Sequence, residues 1–211
     1  MTRDWPAWHD EYDDSASSLS RRLAEVRSQL ALILAGGDLP LRLLSLCSGD
    51  GRDTVPVLAD SPRPVSACLV ELDPELAQAG RETGGDLDLE MRTEDAGATK
   101  TFADRLPVDV LMLCGVFGNV ADADVARTVT AARSMLTAGG YVIWTRGNRV
   151  PDDPTAQTKD PAEWVRGLFA EAGFDEVAFV RPDDATYRVG VARLDQPRDE
   201  PLPERLFSFV T

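Results

Sequence analysis

This chain has few of the groups from which metal and nucleophilic centres are made. Its 211 residues include one histidine, His9, and three cysteines, Cys47, Cys68 and Cys114, none at CxxC spacing. A zinc site or a dithiol redox centre would lack its ligands, so no metal is expected. Each cysteine falls in an apolar, strand-like run and reads as a small core residue in a reducing compartment. Basic charge is also scarce, with 22 Lys and Arg against 36 Asp and Glu and a formal net charge of -14. A general nucleic-acid binder needs a basic face, and an anionic bilayer attracts only basic surfaces, so neither is an expected partner. No apolar run approaches the ~18 residues of a membrane-spanning helix. The opening MTRDWPAWHDEYDD is too polar and acidic for a signal peptide. The cytoplasm is the expected location. No internal repeat, low-complexity tract or domain linker stands out, and the length suits one domain with a full core.

What is present alternates between two periods. Residues 15–35 carry Leu19, Leu23, Val26, Leu30 and Ile33, a stripe that predicts an amphipathic helix; nothing in it suggests chemistry. Strands are expected at 41–47, 65–71, 87–92, 108–114 and 141–145. Helices are expected at 52–60, at 74–81 behind the Asp73-Pro74 start, and at 122–136, stopped by Gly139-Gly140. A polar loop, 146–160, leads to a helix at 161–172. Two closing strands, 176–181 and 187–194, lie near enough to pair antiparallel. The tail ends in LFSFV, 206–210, which either adds an edge strand or docks. The pattern predicts an α/β fold: a single doubly wound, mostly parallel seven-stranded sheet with an antiparallel C-terminal pair and helices on both faces. An N-terminal cap and helix (1–37) precede a Rossmann-like core (38–194) and a tail (195–211).

The stretch LRLLSLCSGDGR, 41–52, organises the rest. A buried strand runs into Gly49 and Gly51 and then toward a helix, as at the start of a nucleotide-binding βαβ unit. A third glycine is missing, and Thr54 stands in its place. Asp50 and Asp53 flank the position where a pyrophosphate would lie; at ~4–5 Å each would oppose it by a few kcal/mol. Arg52 would offset part of that. A sulfonium ligand with an α-ammonium would instead find these acids favourable. Glu71, 20 residues after Gly51 and at the end of the second strand, is placed to accept from two ribose hydroxyls. Asp73 competes for that role but equally suits a helix cap.

Further landmarks follow in order: LVELDPEL at 69–76, Glu94-Asp95-Ala96 after the third strand, Cys114-Gly115-Val116-Phe117-Gly118-Asn119 after the fourth, LTAGGYVI at 136–143, and Ala172-Gly173-Phe174. Together with the glycine turn, the chain resembles a class I (Rossmann-like) S-adenosylmethionine-dependent methyltransferase over roughly 41–194. The family's first motif commonly reads LDLGCGTG. Here Gly49 and Gly51 match, Ser45 replaces the usual acid and Cys47 the first glycine. The resemblance implies S-adenosylmethionine as cofactor, held by Cys47, Ser48, Gly49, Asp50, Gly51 and Asp53 of the turn, Glu71 and Leu72, Asp95 and Ala96 at the adenine, and Cys114, Gly115, Val116 and Phe117.

Methyl transfer from a sulfonium needs little more than positioning and exclusion of water, with a base for some oxygen or nitrogen acceptors. His9, Tyr12 and Asn119 are the candidates for the acceptor side, and Arg146 and Arg149 for an acidic substrate. Trp5, Trp8, His9 and Tyr12 crowd the N-terminus. They read either as a staple on the core or as a lid over a pocket. The expected activity is methyl transfer to an O or N atom of a small molecule by a monomer or homodimer. An NAD(P)-dependent oxidoreductase and a non-catalytic, methyltransferase-like ligand-binding protein are the alternatives.

Overall fold

The apolar runs become the interior of one sheet in a computed structural model that describes residues 17–147 and 160–210. Helix α1 (Ser18–Ala35) starts at Ser17, whose side chain accepts from the Ser20 N–H. Next come β1 (Leu41–Leu46), a short α2 (Val55–Ala59), β2 (Val65–Glu71), α3 (Pro74–Gly84) and β3 (Leu89–Thr93). They are followed by β4 (Val108–Leu113), α4 (Asp122–Met135), β5 (Leu136–Gly147), α5 (Pro161–Glu171), β6 (Asp175–Val180) and β7 (Tyr187–Leu194). The seven strands lie in the order β3-β2-β1-β4-β5-β7-β6, with β7 antiparallel to both β5 and β6. This is the architecture expected from the strand and helix pattern.

Alternation along each strand sends side chains to two separate cores. Leu44, Leu46, Leu111, Leu113, Val142 and Trp144 meet α4 and α5, while Leu43, Leu69, Val110, Met112 and Ile143 meet α1, α2 and α3. Strands covered on both faces have no polar side, which is why β1, β2 and β4 read as near-continuous apolar runs.

Two boundaries differ from expectation, each for a backbone reason. Residues 52–54 belong to a turn rather than to α2, because Thr54 and Val55 both donate to the Gly51 carbonyl, 2.9 and 2.7 Å away, and the helix begins only at Val55. Gly139-Gly140 do not stop a helix. They lie within β5, where the pairing with β4 jumps from Leu136–Val108 to Tyr141–Val110. Gly139 at φ 80° supplies the conformation that the bulge requires, and the Thr137 hydroxyl donates to Asp109 (2.7 Å) across it. The LFSFV segment docks, touching the body through two single bridges, Ala98–Arg205 and Val120–Phe209, with Leu206 and Phe207 buried.

The start of α5 is secured by a charge pair. Asp160 caps the helix through the Ala162 N–H (3.0 Å) and takes Nε of Arg188 on its other oxygen (2.9 Å). Both side chains are largely buried, at 7% and 13% exposure. The Arg188 guanidinium also donates to the carbonyls of Tyr187, Ala185 and Pro182, so the buried cation is hydrogen-bonded as well as paired.

Candidate functional site

The strand order reverses between β1 and β4, and in open α/β sheets ligands bind in the crevice at that switch, beyond the C-terminal strand ends. A cleft of about 530 Å³ opens there, within the size range of small-molecule sites. Its floor is the turn after β1. Cys47, Gly49 and Gly51 all have positive φ, at 58°, 58° and 72°. For Cys47 this is a conformation that residues with a Cβ seldom adopt.

Glu71 ties this floor to the neighbouring element. One carboxylate oxygen accepts from the Gly49 N–H (2.8 Å) and the other from the Asp73 N–H (2.9 Å). Each carboxylate oxygen can accept more than one hydrogen bond, so both remain able to receive a hydroxyl from the cleft. Asp73 lines the cleft too, but one of its oxygens caps α3 by accepting from Glu75 and Leu76. Gly80 lets α3 close on the turn, since a Cβ there would run into the Met91 methyl and press on the Asp50 carbonyl.

The two acids flanking the turn are not equivalent. Asp50 is gripped by Arg52 at both oxygens, with Nη2 2.6 Å from Oδ2 and Nε 2.9 Å from Oδ1, so its charge is largely answered. Asp53 accepts only from the Thr54 hydroxyl (2.9 Å) and forms no ion pair among the described residues. Burial pushes its carboxyl above the ordinary range, and Asp50 adds to the rise. The Thr54 hydrogen bond and the Arg22 charge oppose it. A ligand cation at this end of the cleft would therefore meet Asp53 more than Asp50.

At the other end, Asp95 accepts from the Gly97 N–H (2.9 Å) and pairs with Nη2 of Arg205 (2.7 Å). Burial works against its charge, but the Arg205 and Gly97 hydrogen bonds outweigh it and hold the carboxyl below its usual value.

Of the sequence candidates, Cys47, Ser48, Gly49, Asp50, Asp53, Glu71, Leu72, Asp95, Ala96, Cys114 and Gly115 line one cleft. Gly51, Val116 and Phe117 do not. Gly51 faces Val55 and Leu69. Val116 and Phe117 are fully buried, with Phe117 against Trp144 and Phe169 at 6.4 Å. Asn119 is also outside the lining; its amide donates to the Gly115 carbonyl (2.7 Å) and shapes the loop. His9, Tyr12 and Arg149 lie outside the described residues. Arg146 stands half-buried at the end of β5, 4.0 Å from Asp122.

The cysteines require a correction. Only Cys68 is a core residue. Cys47 and Cys114 stand one position past β1 and β4 and wall the cleft. Burial raises both thiols, reinforced by Glu71 and Asp95 at Cys47 and by Asp53 at Cys114, so they are neutral contact surfaces rather than nucleophiles.

Four further lining residues carried no signal that the sequence reading used: Arg22, Leu23 and Val26 of α1, and Phe209 of the tail. Leu23 and Val26 belong to the apolar stripe that predicted α1, and Val26 is at once a core residue and part of the cleft wall. Among the described residues no cluster of His, Cys, Asp or Glu is arranged to hold a metal, and no helix is long and apolar enough to cross a membrane.

The strand order, the reversed last strand and the cleft over the glycine turn define the fold of class I S-adenosylmethionine-dependent methyltransferases, and solved structures agree. An O-methyltransferase family protein from Burkholderia thailandensis superposes with a TM-score of 0.64 at 17% identity, covering 84% of this chain. This chain spans only 57% of that protein's length. The N-methyltransferase NodS from Bradyrhizobium japonicum gives 0.64 at 16%, covering 88% of this chain and 99% of NodS. Magnesium protoporphyrin IX methyltransferase from Synechocystis with bound S-adenosylhomocysteine gives 0.67 at 13%, covering 92% and 94%. No family model matches the sequence. No curated protein matches it.

Proposed function

We propose that this chain is an S-adenosylmethionine-dependent methyltransferase acting on an oxygen or nitrogen atom of a small molecule. The observation that carries the reading is Glu71, held by two backbone N–H groups at the edge of a switch-point cleft whose opposite end keeps Asp53 unpaired among the described residues. The residues fit such a donor. Glu71 would receive the ribose hydroxyls, Leu72 and Ala96 would flank the adenine, and Asp95 would accept from its amine. Asp53 would face the ammonium, where the family's usual acid is replaced by Ser45, itself buried in β1. The sulfonium supplies an already activated methyl group. The chain's own work is then to orient donor and acceptor in line and to keep water out. His9 and Tyr12 are proposed for the acceptor side by their chemistry alone. The neighbours' printed activities, O- and N-methyl transfer and a porphyrin methyl transfer, support a small acceptor as a class.

The test is calorimetry with S-adenosylmethionine and S-adenosylhomocysteine, followed by label transfer from a methyl-labelled donor to panels of phenols, carboxylic acids and amines. Absence of binding at millimolar ligand sinks the reading. Stabilisation by NADH but not by S-adenosylhomocysteine in a thermal-shift comparison would favour an oxidoreductase.

Asp53 adds a pH prediction. Its folded-state value is raised, so the folded chain takes up a proton that the unfolded chain does not. Stability is therefore lost as pH rises through the raised value. Asp53→Asn is expected to raise the melting temperature of the free protein at pH 7. It should also weaken S-adenosylhomocysteine binding roughly three- to tenfold, the scale of an exposed to half-buried charge contact. Wild-type affinity should fall as pH drops toward the raised value, and the variant's profile should be flatter. Calorimetry between pH 5 and 8 checks this, and parallel profiles would exclude Asp53 as the partner of the ammonium.

A further inference from the structure

Seven large hydrophobic side chains are well exposed among the described residues, and two of them, Leu72 (67%) and Phe209 (41%), line the same cleft. Apolar side chains that line one crevice are surface a ligand can cover. Leu72 follows β2. Phe209 comes from the tail, beyond the last strand of the sheet.

The tail reaches the cleft along a fixed track. The Leu206 N–H donates to the Gly97 carbonyl (2.8 Å), and the Glu204 carbonyl accepts from the Thr99 N–H (3.0 Å). Gly97 permits the close approach, because a Cβ there would collide with the Phe207 carbonyl. Leu206 and Phe207 sink into the core, and Arg205 clasps Asp95. Phe209 is then fastened from both sides. The Ser208 N–H donates to Asp124 (2.9 Å) and the Val210 N–H to the Asn119 carbonyl (2.8 Å). The Phe207 ring meets the Phe209 ring edge-on at 5.9 Å. The ring is thus held in place before any ligand arrives.

Its position follows from that track. The strap crosses from the loop of Asp95 after β3 to the loop of Asn119 after β4. The apolar residues of the second loop, Val116 and Phe117, are spent in the core, so they offer that end of the cleft no face.

We propose that residues 203–210 form a built-in wall of the nucleoside end of the cleft, with the Phe209 ring as the face on which the ligand's base stacks, opposite Leu72. This rests on the methyltransferase reading and adds to it a binding surface outside the sheet and its helices. Arg205 acts as the positioning residue that clamps the strap to the adenine-side loop through Asp95.

The experiment is calorimetry of the full-length protein with S-adenosylhomocysteine, alongside thermal melts without ligand. Phe209→Ala is expected to bind about tenfold more weakly, as alanine substitution of a base-stacking aromatic does. Phe209→Tyr should stay within about twofold of wild type, since it keeps the ring. Phe209→Leu keeps apolar bulk without a flat face; it should melt like wild type yet bind at least about threefold more weakly, and it gives the reading if the alanine variant fails to fold. Affinity of the alanine or leucine variant within twofold of wild type, or equal losses in the leucine and tyrosine variants, would overturn the wall. A wild-type protein that does not bind S-adenosylhomocysteine overturns the methyltransferase reading and the wall with it. Binding by wild type with no response at Phe209 overturns the wall alone.

Discussion

Glu71→Ala is expected to weaken S-adenosylhomocysteine binding about a hundredfold and to lower the melting temperature by several degrees in the same protein. A hydrogen bond to a charged group contributes ~1.5–3 kcal/mol. Loss of a carboxylate proposed to receive two ribose hydroxyls is then worth about 3 kcal/mol, or roughly 150-fold. The stability loss has a separate origin. The Gly49 and Asp73 N–H groups both end on this carboxylate, and without it the glycine turn and the entry to α3 lose their tie. Two half-buried donors left unmade cost about 1–2 kcal/mol, and a chain of this size loses ~2–4 °C for each kcal/mol. Glu71→Gln should restore little of the local order. Its amide nitrogen would point at one of two backbone donors, neither of which can accept. Calorimetry and thermal melting on the same samples separate the two effects. An unchanged dissociation constant would remove Glu71 from the ligand site and leave it a purely structural tie.

The second large effect is remote from the cleft. Gly190 on β7 faces Trp144 on β5, and a Cβ there would fall within the van der Waals envelope of the indole. The indole has nowhere to go. Trp144 is 2% exposed, stacked on Phe169 at 5.7 Å and tilted against Phe117 and Phe179. Gly190→Ala is therefore expected to destabilise by about 3 kcal/mol, the upper part of the overpacking range. That corresponds to roughly 6–12 °C in melting temperature. Trp144→Phe in the same chain should recover part of the loss, because residues in direct contact couple. A melting temperature within 2 °C of wild type for the single variant would show that β7 can shift to make room.

These positions differ in how visible they are from the sequence. Glu71 was legible because its place is set by chain distance: the end of an apolar run, a fixed interval after the glycines. Asp95 was legible in the same way, whereas of the loop after β4 only Cys114 and Gly115 reach the cleft. Gly190 was not, because a lone glycine in an apolar strand says nothing of what lies across the sheet from it. Gly139-Gly140 were read as a helix stop because local chemistry cannot distinguish a cap from a bulge; both need a residue free to take positive φ. The helix before α2's true start was overextended for a related reason, since a turn and a first helical turn share residue types.

Among the site residues the division is sharper. Asp50 and Asp53 look alike in sequence, two acids around one turn. Folding gives Asp50 to Arg52 and leaves Asp53 to the cleft, a distinction made by side-chain geometry two and three residues away. Val116 and Phe117 were expected at the ligand from their place after β4, yet they turn inward. An apolar side chain gains more by full burial than at a cleft edge, and α4 and α5 offer that burial.

By itself the sequence determined the sheet, its two-sided burial and the carboxylate at the end of β2, because these depend on periodicity and on fixed distances along one continuous stretch. Only the tertiary structure decided who walls the cleft. Arg22, Leu23 and Val26 enter from a helix before the sheet and Phe209 from a strap after it, segments that meet the glycine turn only through packing. Contacts of that kind follow from long-range closure of the chain, and no local pattern encodes them.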